Sequence, residues 1–308
     1  MMAIPVAGAM RSRLRNFSFW SRALRTFSFP VSALPVLVAT AAVRPVARWR
    51  WDILLLSVLG AMLLHGAGNV LNDYFDFKSG VDRRLDGDEM RPGRLVVRGE
   101  LSPRHLLFLA AACLLPLLPI SAYLLWKCGP WLLAFGLPAL FALYCYTGPP
   151  FELKYHAAGE PTIFLIFGPV LFLGSAFAQT GSWEWLALLL SVPVGFVTTA
   201  ILVGGNIRDE EEDRFAAIVT LTHLLGGRGA RLLYVLLIVG SAAALAFLGA
   251  SGLGPRALLA APILLLLVKR LLLSIYRLRR LPDIDQQTAR FASAVLVFLL
   301  LATIRFGG

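Results

Sequence analysis

Residues 53–76 read ILLLSVLGAMLLHGAGNVLNDYFD. The first part is an apolar run of the length that a bilayer demands, about 20 residues for a spanning helix. The last part carries two carboxylates, Asp73 and Asp76, on the same run. A charged side chain at bilayer depth costs about 3 kcal/mol, so such groups normally face a polar interior and serve a function. The stretch therefore predicts a membrane helix that ends in a polar site. A second long apolar run closes in the same way, on Asn206, Arg208, Asp209 and Asp213. Two acidic clusters at two helix ends suggest one shared site for polyvalent cations, and divalent cations chelating a diphosphate would fit it.

The rest of the chain agrees with a membrane fold. Its 308 residues are 58% hydrophobic and 15% charged, and the mean hydropathy is +0.73. Soluble domains average about 25% charged residues, so the composition excludes an ordinary soluble enzyme. Nine apolar segments can be marked, at 29–47, 52–75, 105–126, 130–146, 160–180, 183–206, 230–250, 255–276 and 288–306. Several contain Gly-Pro steps, which helix bundles tolerate as kinks. The expected fold is an all-α polytopic membrane bundle of about nine transmembrane helices. No linker or low-complexity tract divides it, so residues 1–308 read as a single domain. The segment 1–29 bears arginines without the apolar core and small-residue site of a cleavable signal peptide. Cys113, Cys128 and Cys145 lie apart in apolar segments and form no metal or disulfide pattern.

The net charge of +11 would suggest nucleic acid for a soluble protein. Here the basic residues sit in short loops, and the membrane surface accounts for them better. With the N-terminus inside, 23 of the 29 Lys and Arg residues fall in inside segments, which predicts a cytoplasmic N-terminus and an exterior C-terminus in a cell or plasma membrane. Arg44, Arg48 and Arg50 are the main exceptions. The same helix parity places both acidic clusters on the cytoplasmic side.

On the second segment, His65, Asn69, Asn72, Asp73 and Asp76 fall on one helical face. Asp73 and Asp76 are then about 4.5 Å apart along the axis, which suits two carboxylates gripping Mg²⁺ together with substrate phosphates. Gly66 and Gly68 would let a neighbouring helix or a substrate approach. The bland alternative for Asp76 alone is a charged helix end leaving for water. On the sixth segment Asn206, Asp209 and Asp213 share a face, while Glu210, Glu211 and Glu212 point elsewhere and read as a solvated acidic end. Arg208 and Arg214 have two readings, partners of these acids or partners of phosphate oxygens. Between the fourth and fifth segments, Gly148-Pro149-Pro150 stops a helix. Lys154 fits either a cation beside a diphosphate leaving group or an interfacial lysine.

Three stretches, NDYFDFKSGVD at 72–82, YTGPPFELKY at 146–155 and NIRDEEEDRFAAIVTLTHLLG at 206–226, resemble the UbiA-type intramembrane prenyltransferases. They are most similar to the branch that prenylates 1,4-dihydroxy-2-naphthoate for menaquinone, and to its vitamin K relatives. Arg22 and Arg25 before the first segment, and Leu101-Ser102-Pro103-Arg104 before the third, extend the likeness. The resemblance implies a bundle around a cytoplasm-facing cavity, in which Asn72, Asp73, Asp76 and Asp82 form a first diphosphate motif and Asp209 and Asp213 a second. Asp73, Asp76, Asp209 and Asp213 would be the catalytic, Mg²⁺-binding carboxylates. Asn69, Asn72, Asp82, Tyr146, Lys154, Asn206 and Arg208 would contact substrate. The Asp76-to-Asp82 spacing matches the menaquinone-type branch. The chain departs from the family pattern in having Gly205 before Asn206, where Asn is frequent, and Ala217, where Gly is frequent.

The implied reaction moves a polyprenyl group from an isoprenyl diphosphate to an electron-rich aromatic acceptor, with membrane lipid around it and no nucleic acid. Aromatic residues such as Tyr74, Phe75, Tyr144 and Tyr146 are candidates to steady an allylic cation, though each also reads as ordinary packing. Two rival readings stand beside it. One is a prenyltransferase of the same superfamily with a glycerol lipid, homogentisate or chlorophyllide as acceptor. The other is a cation-coupled transporter, whose acidic sites would lie near the membrane midplane and not at helix ends on one side.

Overall fold

The computed structural model describes residues 17–80, 95–215, 218–277 and 283–305. Twelve α-helices run through them: α1 Phe17–Leu24, α2 Pro30–Val43, α3 Trp51–Ser79, α4 Pro103–Leu114, α5 Leu117–Cys128, α6 Leu133–Cys145, α7 Gly159–Leu165, α8 Leu171–Thr180, α9 Trp185–Phe215, α10 Leu221–Ala250, α11 Lys269–Arg277 and α12 Ile284–Thr303. Among the described residues there is no strand, only an isolated parallel bridge between His156 and Val219. Without water to satisfy open backbone groups, a lipid-embedded chain has helices as its main option.

All nine expected segments are helical. Eight helices or helix pairs are long and apolar enough to span a membrane, and Pro130–Cys145 is a shorter ninth. The chain is an integral membrane α-bundle. Prolines explain the breaks within spans. Pro116 separates α4 from α5, and Gly168-Pro169 sits in a π-helical turn between α7 and α8. Pro262 lies within the 3-10 stretch Arg256–Val268 that precedes α11. Inside α9, Pro193 is bound across helices, its carbonyl accepting from Ser241 Oγ on α10 at 2.7 Å.

The stretch 207–229, which lies between the sixth and seventh apolar segments, is mostly helical. α9 continues to Phe215, carried by its Arg and Glu residues, which are good helix formers. α10 starts at Leu221 behind a Thr220–His223 capping box and bends at Gly226.

Each span packs on its neighbours, and α12 returns to α2, so the bundle closes on itself. The largest core gathers α2, α9, α10, 256–268 and α12 around the fully buried Tyr234, Leu190 and Leu258. α9 and the α7–α8 kink touch at Gly195. A Cβ there would stand 2.7 Å from two ring atoms of Phe164. Gly195→Ala is therefore expected to cost about 1–3 kcal/mol by overpacking and to lower the thermal unfolding midpoint. Gly136→Ala, with no atom within 4 Å of the new carbon, should leave that midpoint nearly unchanged.

Two arginines on the expected exterior side, Arg50 and Arg305, have a structural account. Arg50 donates to the carbonyls of Ala178 at 3.1 Å and Lys127 at 3.3 Å, and Arg305 donates to that of Ala42 at 3.4 Å. These carbonyls belong to the last turns of α8, α5 and α2, where backbone acceptors are left over and the helix dipole favours cations. The Arg44 carbonyl accepts from Trp49 Nε1.

Candidate active site

α3 carries its polar stripe without interruption to Ser79. Asp73 and Asp76 are both buried, 3% and 6% exposed. Each is met by a cation from a different part of the chain. Asp73 accepts a hydrogen bond from Arg25, which lies between α1 and α2. Asp76 accepts from Lys154 Nζ at 2.7 Å and from the Tyr155 hydroxyl at 2.5 Å. Burying a carboxylate demands such partners.

The surrounding contacts hold these cations in place. Arg25 has a left-handed backbone, φ 53, a conformation that a residue with a Cβ adopts only when its surroundings enforce it. The adjacent Leu24 carbonyl is held by Asn69 Nδ2 at 3.0 Å. His65, two turns deeper on the same stripe, bonds Ser28 at 3.3 Å and Ser32 at 3.2 Å. The loop after α6 is pressed onto α3: a Cβ at Gly148 would lie 2.6 Å from the Tyr144 carbonyl and 3.2 Å from the Phe75 ring. That close approach presents Lys154 and Tyr155 to Asp76. Burial, and then the Asp76 charge, push the Tyr155 hydroxyl's pKa well up, so it stays a neutral donor.

The second set lies on α9. Arg208 grips Asp209 through two bonds of 2.8 and 2.9 Å and reaches Asp285 at the start of α12 with its remaining nitrogen, 2.5 Å away. Asp213 is 7% exposed, and its carbonyl accepts from Ile218 N–H at 3.0 Å. Asn206 donates to Glu160, on the first turn of α7, at 2.9 Å. Glu210 pairs instead with exposed Arg214 at 3.2 Å, in line with a solvated face.

Tyr146 lies beside the first set: its carbonyl accepts from the Lys154 N–H at 2.8 Å, and a Cβ at Gly159, next to Glu160, would stand 3.4 Å from its hydroxyl. Among the described residues, space borders both stripes: a Cβ at Gly68 would meet nothing within 4 Å, and one at Gly205 only Arg208 Nη2 at 3.9 Å. Gly66, by contrast, closes against Phe29 and Leu24.

The expected residues fall into groups. Asp73, Asp76, Tyr146 and Lys154 converge, and Asn206, Arg208, Asp209 and Asp213 follow one another on α9. Asn69 secures the backbone next to Arg25. Asn72 Nδ2 is buried and finds no acceptor among the described residues. Asp82 and Ala217 lie outside the described residues. Sequence reasoning did not single out Glu160, Asp285 or Tyr155, and it noted Arg25 only as part of a family likeness. The available signal was a carboxylate at the very edge of an apolar segment, which Glu160 and Asp285 share with the aspartates it did find.

Among the described residues no three His, Cys, Asp or Glu side chains form a closed metal cage. A cation here would have to take part of its shell from substrate phosphates. Mg²⁺ is ordinarily bound that way, through one or two carboxylates, and the paired hard-oxygen donors of α3 and α9 fit it. An apolar groove lined by Trp131, Leu137 and Pro138 lies toward the opposite end of the α6 span from Tyr146 and offers nothing to a charged ligand.

Residues 32–302 match the model of the UbiA prenyltransferase family. The UbiA prenyltransferase domain-containing protein 1 homolog of Drosophila melanogaster is 32% identical over 222 residues, 70% of this chain and 60% of that protein. The chain thus spans about three fifths of that relative. The 1,4-dihydroxy-2-naphthoate octaprenyltransferase of Mycobacterium tuberculosis is 32% identical over 223 residues, 72% of this chain and 74% of that one. The structure of a UbiA homolog from Archaeoglobus fulgidus bound to GPP and Mg²⁺ superposes with a TM-score of 0.67 at 18% identity, covering 92% of this chain and 99% of that one. With a family match over nearly all of the described helices, the chain belongs to the UbiA prenyltransferase family.

Proposed function

We propose that this protein transfers a polyprenyl group from an isoprenyl diphosphate to an electron-rich aromatic acceptor, 1,4-dihydroxy-2-naphthoate, in menaquinone formation. One observation carries the reading: two aspartate pairs stand near helix ends, Asp73 and Asp76 on α3 met by Arg25 and Lys154, and Asp209 and Asp213 on α9 with Asp209 held by Arg208. The name of the mycobacterial relative supports the choice of acceptor.

In this reading the allylic C–O bond breaks, and the departing diphosphate gathers negative charge. Lys154 and Arg25 offer cations to that charge, and Tyr146 and Tyr155 offer neutral O–H donors. Arg208, a planar fork of donors, suits phosphate oxygens when it turns from Asp209. Asp73, Asp76, Asp209 and Asp213 would hold Mg²⁺ with the diphosphate, and the metal would offset the leaving group's charge. Electrons of the acceptor ring form the new C–C bond at the carbon that bears the carboxylate, and loss of that group as CO₂ returns its bonding pair to the ring and restores aromaticity. The bundle keeps water from the allylic cation, which would otherwise end as an alcohol.

The acceptor is tested by incubating membranes with radiolabelled polyprenyl diphosphate and, in separate reactions, 1,4-dihydroxy-2-naphthoate, homogentisate, chlorophyllide or a glycerol phosphate lipid. Label should move into an extractable lipid with the first of these. Transfer only to another acceptor would contradict the naphthoate assignment. Orientation is part of the proposal, and the distribution of Lys and Arg supports it. A reporter after Gly308 should read as exterior and one near Asp88 as cytoplasmic; the reverse would put the site on the wrong face.

A further inference from the structure

Glu160 is a buried carboxylate that the reaction described above leaves unused. It is 3% exposed, and among the described residues it forms no ion pair, unlike Asp73, Asp76 and Asp209. A buried carboxylate in that position depends on hydrogen bonds. Asn206 Nδ2 supplies one at 2.9 Å. The Leu221 backbone amide, at the positive end of α10, also faces it. Glu160 thereby joins α7, α9 and α10 at the point where the second acidic set begins.

The chemistry of this contact fixes more than packing. A carboxylate oxygen accepts hydrogen bonds, and here Glu160 Oε1 accepts from the Asn206 NH₂ group, which turns the Asn206 Oδ1 away. No described residue donates to that Oδ1, and it is not among the sealed, unpartnered atoms. Asn72 on α3 is the opposite case, since its Nδ2 has no acceptor among the described residues.

We propose that Glu160 is a positioning residue that locks the Asn206 amide so that the site meets an oxygen acceptor one helical turn before Asp209. The partner of that oxygen is an electron-poor group, a bound cation or an O–H donor, and not a phosphate oxygen. The inference rests on the site reading given above, and it assigns Asn206 a direction and Glu160 a purpose.

The test is a reciprocal exchange in protein purified into lipid nanodiscs: Asn206→Asp, Glu160→Gln, and the two together. Two readouts are taken. One is kcat and KM with radiolabelled polyprenyl diphosphate and 1,4-dihydroxy-2-naphthoate. The other is the thermal shift caused by an unreactive geranyl thiolodiphosphate with Mg²⁺. Asn206→Asp sets two carboxylates against each other, and kcat should fall on the order of 10²-fold. Glu160→Gln keeps an accepting oxygen and should lose less than about ten-fold. In the double variant Gln donates to one Asp oxygen and the other faces the site, so kcat should return to within about ten-fold of the parent. A double variant that regains the parental unfolding midpoint but stays as slow as Asn206→Asp would overturn the proposal, because the pair would then be structural or the lost NH₂ would be the working group. If the parent binds the analogue yet prenylates no acceptor, the reaction reading fails alone. The positioning role is then judged by whether the thermal shift is lost in Asn206→Asp and regained in the double variant. A parent that shows no shift overturns both.

Discussion

Asp73→Asn, Asp76→Asn, Asp209→Asn and Asp213→Asn are each expected to lower turnover on the order of 10²-fold or more, the usual loss when a major electrostatic stabiliser is removed. The effect should not depend on unfolding. Asn keeps the size of Asp and can still hydrogen-bond, and each of these residues lies at a helix end and outside the large core around Tyr234. Asp52 provides the control. It sits at the opposite end of α3 from Asp76, exposed and bonded to the Tyr123 hydroxyl at 2.8 Å. Asp52→Asn should stay within a few-fold of the parent. The check is single-turnover product formation on variants matched for folded protein. Parental rates in all four site variants would reduce both clusters to ordinary helix ends.

Removing divalent cations is expected to have an effect at least as large. Treatment with EDTA should abolish prenyl transfer, and added Mg²⁺ should restore it. The reason lies in the donor set. The described residues offer no closed cage of three or more ligands, so a cation would be held jointly with the diphosphate and should exchange readily. Carboxylates without that cation would repel a diphosphate from the pocket. Binding of the unreactive analogue should accordingly weaken in EDTA as well as turnover. Full activity in metal-free buffer would remove the chelation reading and leave the counter-charge to side chains such as Lys154, Arg25 and Arg208.

Much of the fold was legible because a bilayer imposes a simple rule on sequence. A run of about 20 apolar residues marks a spanning helix, and each of the nine marked runs coincides with helix. Boundaries were less legible where polar residues also favour helix. The Arg- and Glu-rich end of α9 and the capped start of α10 read as loop by hydropathy but fold as helix.

The expected site residues on α3 and α9 stood out because charges are rare in such a chain. Their partners did not. Arg25 and Asp73 are 48 residues apart, Lys154 and Asp76 are 78 apart, and Arg208 and Asp285 are 77 apart. No local period links residues over such spans. Lys154 illustrates the limit: both sequence readings fitted it, and only the fold brings its amine to Asp76. Glu160 was missed for a related reason. It lies at the very edge of an apolar segment and looks like a helix end, and its burial arises only from the convergence of α7, α9 and α10.

The most direct test of the central claim measures two products of one reaction. Purified protein in lipid nanodiscs, supplied with Mg²⁺, polyprenyl diphosphate and 1,4-dihydroxy-2-naphthoate, should release inorganic diphosphate and form prenylated naphthoquinol in equal amounts, and neither should form without the aromatic acceptor. Intact diphosphate after prolonged incubation, or cation uptake into proteoliposomes with no prenylated product, would contradict the account.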